Sequence, residues 1–285
     1  ECILQERGKI FFFYRPKVDK EDAHSTDYVQ RLYVVLRPES GERSVEENQE
    51  ADSGKEGRPG KRGHEAGCGS VNIGKETLLR VIVMGRKSLP DPSKTSLPYW
   101  GFVEMVTTNI AAVKNALKGE EYDTSTRGHR HQPSARALGE GVYCILRHNP
   151  GKRMHTHLVY KLKLPTQDRK NENVPQKSLH IEHEGSFIIY IKNPDQHGSS
   201  NFRGLQNKHK AMFPVHLQGQ FGQLRYCPAD PPDFLNYKGC ELLLVPASDD
   251  VEEELGLELK TECGVDASSS NLVNTFGDTA STSAL

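Results

Sequence analysis

Six apolar runs along the chain have the length and composition of β-strands. Each ends near a basic residue that is followed within a few positions by proline. Proline has no N–H to donate to a strand ladder, so it ends the strand, while the basic residue lets the apolar run end in water. The runs occupy residues 11–16, 32–38, 81–90, 142–150, 158–165 and 187–194.

These runs are arranged in two similar sets. Three precede Trp100 and three follow Gly139 in the same order, which indicates an internal duplication. A short helix follows the first set, with Asn109 as its N-cap and Gly119 as its C-terminal stop. Many strands and few short helices predict an α+β fold, mostly antiparallel, in which two related halves pack around a pseudo-twofold axis.

Changes in composition set the expected boundaries. Residues 8–119 form the first β-rich half and 120–247 the second, and 120–141 is predicted to be the linker between the two strand sets. Segment 39–75 is poor in large apolar residues and cannot bury enough surface to offset its ordering entropy, so we expect a disordered insertion. Residues 248–285 are expected to form an acidic helix and then a disordered tail.

Net charge excludes a globally basic protein. The 285 residues include 37 Lys and Arg against 38 Asp and Glu, so any surface that attracts nucleic acid or an anionic membrane must be local. No apolar run reaches the length of a membrane span. The six cysteines are scattered without a C-x-x-C motif, which predicts reduced thiols and an intracellular compartment. The cytoplasm is the expected location, and the nucleus and plastid stay open.

Two H-x-H pairs, His129/His131 and His155/His157, are the unusual feature of the sequence. Residues i and i+2 of a strand share a face, so each pair can present two imidazoles side by side. Alternation in the second strand places His155 and His157 on the face that points away from the core. Four imidazoles from neighbouring strands would suit zinc or another divalent transition metal, although the arginines nearby oppose a cation.

The cations themselves support a different interpretation. If the 120–141 segment and the next two strands adjoin, their basic residues form one patch that attracts phosphate, a carboxylate-rich peptide or nucleic acid. We therefore predict a non-catalytic binding protein with an anionic partner, and a solvated basic face stays the simpler alternative. The predicted binding residues are Arg127, His129, Arg130, His131, Arg147, Arg153, His155 and His157.

Motifs that define common enzymes are missing from the sequence. It contains no G-x-x-x-x-G-K-[ST], no G-x-G-x-x-G after a strand, no G-x-S-x-G and no H-E-x-x-H. We therefore assign no catalytic residue and expect no cofactor. The alternative from a different class is a metal-dependent enzyme that uses the two H-x-H pairs.

Several segments together carry a resemblance to a known family. They are GKIFFFYRPKV at 8–18, YWGFV at 99–103, RGHRH at 127–131, HTHL at 155–158 and PADPP at 228–232. With these, residues 8–250 apart from 39–75 resemble plant proteins that have shorter bacterial relatives. The family has no established activity, so the resemblance implies no catalytic residue.

Some plant members of that family are labelled BTB/POZ-type tumour-necrosis-factor-induced proteins. The label implies adaptor work in ubiquitin ligation, and the bacterial relatives imply an old cytosolic role. A protein-interaction adaptor is therefore the third alternative. The acidic segment at 251–259 would be its docking element.

Overall fold

The computed structural model describes residues 2–20, 25–39, 44–46, 70–72, 78–91, 98–149, 151, 154–164, 175–196, 209–247 and 276. Strands dominate this part of the chain. They are β1 (Cys2–Pro16), β2 (Val29–Pro38), β3 (Ser44–Glu46), β4 (Ser70–Asn72), β5 (Leu79–Met84), β6 (Tyr99–Thr107), β7 (Glu120–Thr124), β8 (Gly128–Gln132), β9 (Arg136–His148), β10 (His155–Leu164), β11 (Glu184–Lys192), β12 (Tyr226–Pro228) and β13 (Glu241–Pro246).

Eight of the strands close into an antiparallel barrel in the order β1-β2-β5-β6-β13-β11-β10-β9, with β9 pairing back onto β1. The first half of the chain contributes four adjacent strands and the second half the other four. The two sets meet at β9–β1 and at β6–β13. The predicted class, a mostly antiparallel β-rich fold with a few short helices, is confirmed.

Apolar side chains fill the inside of the barrel. Alternate residues of each strand point inward, among them Phe12, Val34, Ile82 and Leu158, and each is at most 4% exposed. They leave an apolar cavity of about 10 Å³, which is room for roughly one water molecule. An eight-stranded barrel either fills its lumen with side chains or holds one small ligand, and this one is filled.

Different elements cover the two ends of the barrel. At one end, which we call the plug end, the segment 211–237 packs an aromatic cluster of Phe213, Phe221, Phe234 and Tyr237 onto the core. This segment includes α3 (Val215–Gln218) and a 3₁₀ helix at Pro232–Asn236. At the opposite end lie α2 (Pro175–Ser178) and Leu179, whose carbonyl accepts from Leu89 N–H at 2.9 Å.

Helix α1 (Ile110–Leu117) covers part of the outer wall. Its N-cap is Asn109, as predicted, and the side-chain oxygen of Asn109 accepts from Ala111 N–H at 2.9 Å. Val113 and Leu117 are fully buried in a second apolar cluster that includes Phe11 and Phe13 of β1. The outward face of the first-half strands is therefore also a packed layer.

Several expectations about the chain's organisation change. The predicted linker 120–141 is wrong, because β7 and β8 pair as an antiparallel hairpin there and β9 already begins at Arg136. Within the predicted disordered insertion, 44–46 and 70–72 pair as short strands, and the rest of 40–77 lies outside the described residues. The predicted acidic helix and the tail, apart from residue 276, also lie outside them.

Cysteine chemistry differs from the expectation at one position. Cys2, Cys227 and Cys240 form no disulfide, whereas Cys144 is disulfide-bonded, so the prediction of reduced thiols is wrong for Cys144. Among the described residues, no helix is both long and apolar enough to cross a membrane. The intracellular compartment stays a prediction.

Candidate functional site

The eight predicted binding residues do not share one recess. Arg127, His129, Arg130 and His131 belong to the β7–β8 hairpin, whereas Arg147 lies on β9 and His155 and His157 lie on β10. Arg153 lies outside the described residues.

The β1–β9 ladder separates the two groups. It runs from the Cys2↔His148 pair to the Tyr14↔Arg136 pair, twelve steps along β9, or roughly 40 Å of strand. The hairpin lies beyond the Arg136 end, and the β10 histidines lie beside the His148 end. The expectation that the basic residues of the 120–141 segment and the next two strands form one patch is wrong, because β9 spans the barrel between the two groups.

Acidic neighbours neutralise the hairpin group. Nδ1 of His129 lies 3.1 Å from the Asp123 carboxylate, and Nδ1 of His131 lies 3.9 Å from Glu121. Arg130 forms an ion pair with Asp19, beyond the end of β1. These side chains are exposed or half-exposed. The hairpin therefore presents alternating opposite charges rather than a basic surface.

Three imidazoles converge at the plug end, on a surface that we call the histidine face: His148, His155 and His157. His148 and His155 are directly opposite each other on β9 and β10, and the rings of His148 and His157 have centroids 5.4 Å apart. Tyr190 OH lies 3.4 Å from Nδ1 of His155, which ties the face to β11. Within the described residues, none of these imidazoles is ion-paired with a carboxylate.

His157 lies on the predicted face but is not solvated. It points out of the barrel lumen, yet it is only 2% exposed, and its Nδ1 lies 3.5 Å from Ser186 Oγ. Burial, together with the nearby His148 and His155, lowers the pKa of His157 to about 4. Its imidazole is therefore uncharged at neutral pH.

Arg147 lies next to the histidine face but points the other way. Because side chains alternate along β9, Arg147 shares the inward side of Ile145 and lies at the rim of the barrel. Its Nε lies 2.9 Å from a carboxylate oxygen of Asp230, just before the 3₁₀ helix of the plug. Arg147 therefore links the β9 end to the plug.

The four histidines of the H-x-H pairs cannot form one metal site, since the pairs lie at opposite ends of the barrel. In the parts of the chain that the structure describes, no group of three or more His, Cys, Asp or Glu side chains is arranged to hold a metal ion. The metal-dependent enzyme stays an untested prediction, which elemental analysis of protein purified without chelator would decide.

A buried acidic residue on the outer wall of the barrel, Glu140, was not predicted. Glu140 of β9 is only 7% exposed, and its Oε2 is buried without a hydrogen-bond partner among the described residues. Burial raises its pKa to about 7, against the opposing charges of Lys9, Lys163 and Arg37. The sequence pattern did not predict that Glu140 is buried, because Gly139-Glu140-Gly141 is typical of the end of a linker.

A buried polar network at the plug end is a second feature that the sequence pattern did not predict. Both terminal guanidinium nitrogens of Arg80, Nη1 and Nη2, donate to Glu6 at 2.6 and 3.0 Å, and Nε donates to Asn236 at 2.8 Å. Tyr143 OH donates to Glu6 at 2.8 Å. Strand alternation was the available signal, since Arg80 has the same inward phase as Ile82 and Met84.

Comparisons with known proteins add nothing to this geometry. No protein-family model, no curated protein and no solved structure matches the chain.

Proposed function

We propose that this chain is a non-catalytic binding protein that engages an anionic partner through the histidine face at the plug end of the barrel. The partner classes are a phosphate-bearing ligand, an acidic peptide and a nucleic acid. The observation that carries the proposal is the convergence of His148, His155 and His157 from two adjacent strands with no carboxylate beside them in the described residues.

Electrostatic repulsion among the imidazoles of the histidine face is the physical reason for expecting an anion to bind there. Burial is the first cause of the lowered pKa of His157, and the neighbouring imidazoles of His148 and His155 oppose its protonation further. An anion laid across the face offsets that repulsion and accepts charge-assisted hydrogen bonds. The hairpin lacks this property, because His129 and His131 already have acidic neighbours.

A matched pair of double variants tests the proposal. Fluorescence anisotropy with a labelled single-stranded oligonucleotide, a labelled acidic peptide and a labelled phosphate monoester measures binding. The variant His148→Ala/His155→Ala is expected to weaken capture of the preferred probe about tenfold. The control His129→Ala/His131→Ala removes two imidazoles from the hairpin and is expected to bind like wild type.

Salt dependence is the second readout. Contacts to phosphate weaken steeply between about 50 and 200 mM salt, and contacts to other anions are screened in the same direction. Equal binding by both double variants, or binding that does not change with salt, would overturn the proposal. Thermal unfolding of each variant shows whether weaker binding results from lost contacts to the ligand or from a protein that no longer folds.

We also propose that the barrel arose by internal duplication of a four-stranded unit. The strand order supports it: exchanging β1, β2, β5 and β6 with β9, β10, β11 and β13 maps the closed ring onto itself. The α+β halves at 8–119 and 120–247 would then be related by a pseudo-twofold axis. Superposing the two strand sets of an experimental structure tests this, and a fit that requires a different strand order would refute it.

A further inference from the structure

Glu140 lies within a group of cations on the outer wall, away from the histidine face. Directly opposite residues of neighbouring strands share a face, and the registers Lys9↔Arg37 and Phe11↔Glu140 place these side chains on the outward side of β2, β1 and β9. Lys163 lies on β10 at the register shift next to Leu164, which pairs with Glu140. Four adjacent strands thus contribute Lys9, Arg37, Lys163 and Glu140, which we call the cation wall.

The cations of this wall are close enough to affect one another. Partial burial, and then the charges of Arg37 and Lys163, lower the pKa of Lys9. Each of the three cations also acts on the carboxyl of Glu140. Three positive charges thus face one carboxyl group that is nine-tenths buried, and one oxygen of that carboxyl has no hydrogen-bond partner among the described residues.

We propose that Lys9, Arg37, Lys163 and Glu140 form a binding site for a doubly charged tetrahedral oxyanion, a phosphate group. The three cations bind its oxygens. Glu140 takes up a proton as the anion binds, and its hydroxyl then donates to a ligand oxygen. An ionised Glu140 would repel the ligand, so the bound state requires the neutral acid.

Two other basic residues near the wall form ion pairs with neighbouring carboxylates. Arg7 of β1 forms an ion pair with Glu39 at 2.8 Å, and Lys161 of β10 forms one with Glu184 at 2.5 Å. Each pair sums to zero charge. These two ion pairs therefore add no net charge beside Lys9, Arg37, Lys163 and Glu140.

This site is separate from the histidine face on the same strands. Between the two, the outward residues of β9 and Val159 of β10 are apolar and buried, in the cluster of Val142, Cys144, Leu146 and Val159. The outward Lys161 of β10 is ion-paired with Glu184. The two sites therefore have different residues and different expected pH profiles, and either can fail while the other stands.

Isothermal titration calorimetry with sulfate tests the site, because sulfate stays a dianion across the pH range used. Near pH 7 the Glu140 carboxyl changes from mostly ionised to mostly neutral as the pH falls. Wild-type affinity for sulfate is expected to rise about tenfold from about pH 8 to about pH 6, with net proton uptake on binding. Inorganic phosphate and phenyl phosphate, titrated in parallel, distinguish the free ion from a phosphoryl group on a larger molecule.

Two kinds of variant separate the role of Glu140 from the roles of Lys9 and Lys163. Glu140→Gln keeps a hydrogen-bond donor without a titrating group, so we expect tight binding that no longer depends on pH and takes up no proton. Lys9→Gln and Lys163→Gln each remove one cation and are expected to weaken binding about tenfold. Lys238→Gln, at an exposed lysine just after the plug segment, is the matched control and is expected to bind like wild type.

Three outcomes would overturn the site: no saturable binding of either anion to wild type at about pH 6, binding that survives both lysine changes, or a Glu140→Gln protein whose affinity still rises as the pH falls. In the His148→Ala/His155→Ala protein, the pH-dependent binding of sulfate at the cation wall is expected to persist. If that variant instead loses sulfate while the lysine variants keep it, the anion binds the histidine face and the cation wall is refuted. Circular dichroism on each variant confirms folding before titration.

Discussion

The guanidinium of Arg80 and the carboxylate of Glu6 form a two-pronged ion pair inside the barrel, with contacts of 2.6 and 3.0 Å. The side chains are 1% and 8% exposed, so both charges are removed from water. Burial opposes the charge on Arg80, but the Glu6 carboxylate and the neighbouring acceptors outweigh it and raise the pKa of the guanidinium. Asn236 joins the pair to the plug, so β1, β5 and the plug are fixed together by one polar contact set.

Changing Arg80 to Met is expected to destabilise the protein by about 3–5 kcal/mol, because the Glu6 carboxylate is then buried without its partner. Urea unfolding measures the change. The double variant Glu6→Leu/Arg80→Met should be destabilised by less than the sum of the single changes, since it leaves no lone charge.

Arg31→Met is the control for the Arg80 experiment. Arg31 pairs with Glu104 on the surface at 3.4 Å, with both side chains at least one-third exposed, so its loss should cost less than about 1 kcal/mol. Equal destabilisation by Arg80→Met and Arg31→Met would contradict the account of the buried pair.

Arg15 makes a comparable contribution outside the lumen, at the C-terminal end of α1. It donates to the carbonyls of Ala116 at 2.7 Å and Lys118 at 3.2 Å, and to Pro133 at 2.7 Å. Changing Arg15 to Met keeps the aliphatic stem but leaves these acceptors unpaired. We expect a loss of about 2–3 kcal/mol, with faster amide hydrogen exchange in α1.

The N-cap change Asn109→Ala provides the comparison for Arg15. It should cost about 1 kcal/mol, because it removes one hydrogen bond at the other end of the same helix. Unchanged exchange protection of α1 in the Arg15→Met protein would rule out the capping role.

The apolar strands could be read from the sequence because their signal is local. Each predicted run, for example 158–165 or 187–194, overlaps a barrel strand, and the phase of β10 placed His157 on the outward side as predicted. Period-two alternation and proline depend only on neighbouring residues, so they can be read without the fold.

The arrangement of the candidate site residues could not be predicted from local sequence patterns. The hairpin strand β7 (Glu120–Thr124) is almost wholly exposed and has no apolar alternation to identify it, so its sequence is typical of a linker. The distance between the two H-x-H pairs depends on which strands close the barrel, and that pairing is not local. The burial of His157 and Glu140 likewise depends on packing from distant parts of the chain.

The raised pKa of Glu140 leads us to expect that the free energy of unfolding changes with pH. Its folded pKa of about 7 lies above its ordinary value of 4.5, so the folded protein holds a proton that the unfolded chain has released. Stability should therefore fall as pH rises from about 4.5 to about 7, by roughly 1–3 kcal/mol. Urea unfolding of wild type and Glu140→Gln across this range measures it, and a difference between them that does not vary with pH would refute it.

The lowered pKa of His157 leads us to expect the opposite change of stability with pH, over nearly the same pH range. Its folded pKa of about 4 lies below its ordinary value of 6.5, so the unfolded chain binds a proton that the folded protein does not. Stability should fall as pH drops from about 6.5 to about 4, by roughly 1–3 kcal/mol, and His157→Gln should remove this loss. His129→Gln, at an exposed hairpin position, should not. Because the Glu140 and His157 slopes partly cancel in wild type, the two variants must move the stability profile in opposite directions, and a common direction would contradict both assignments.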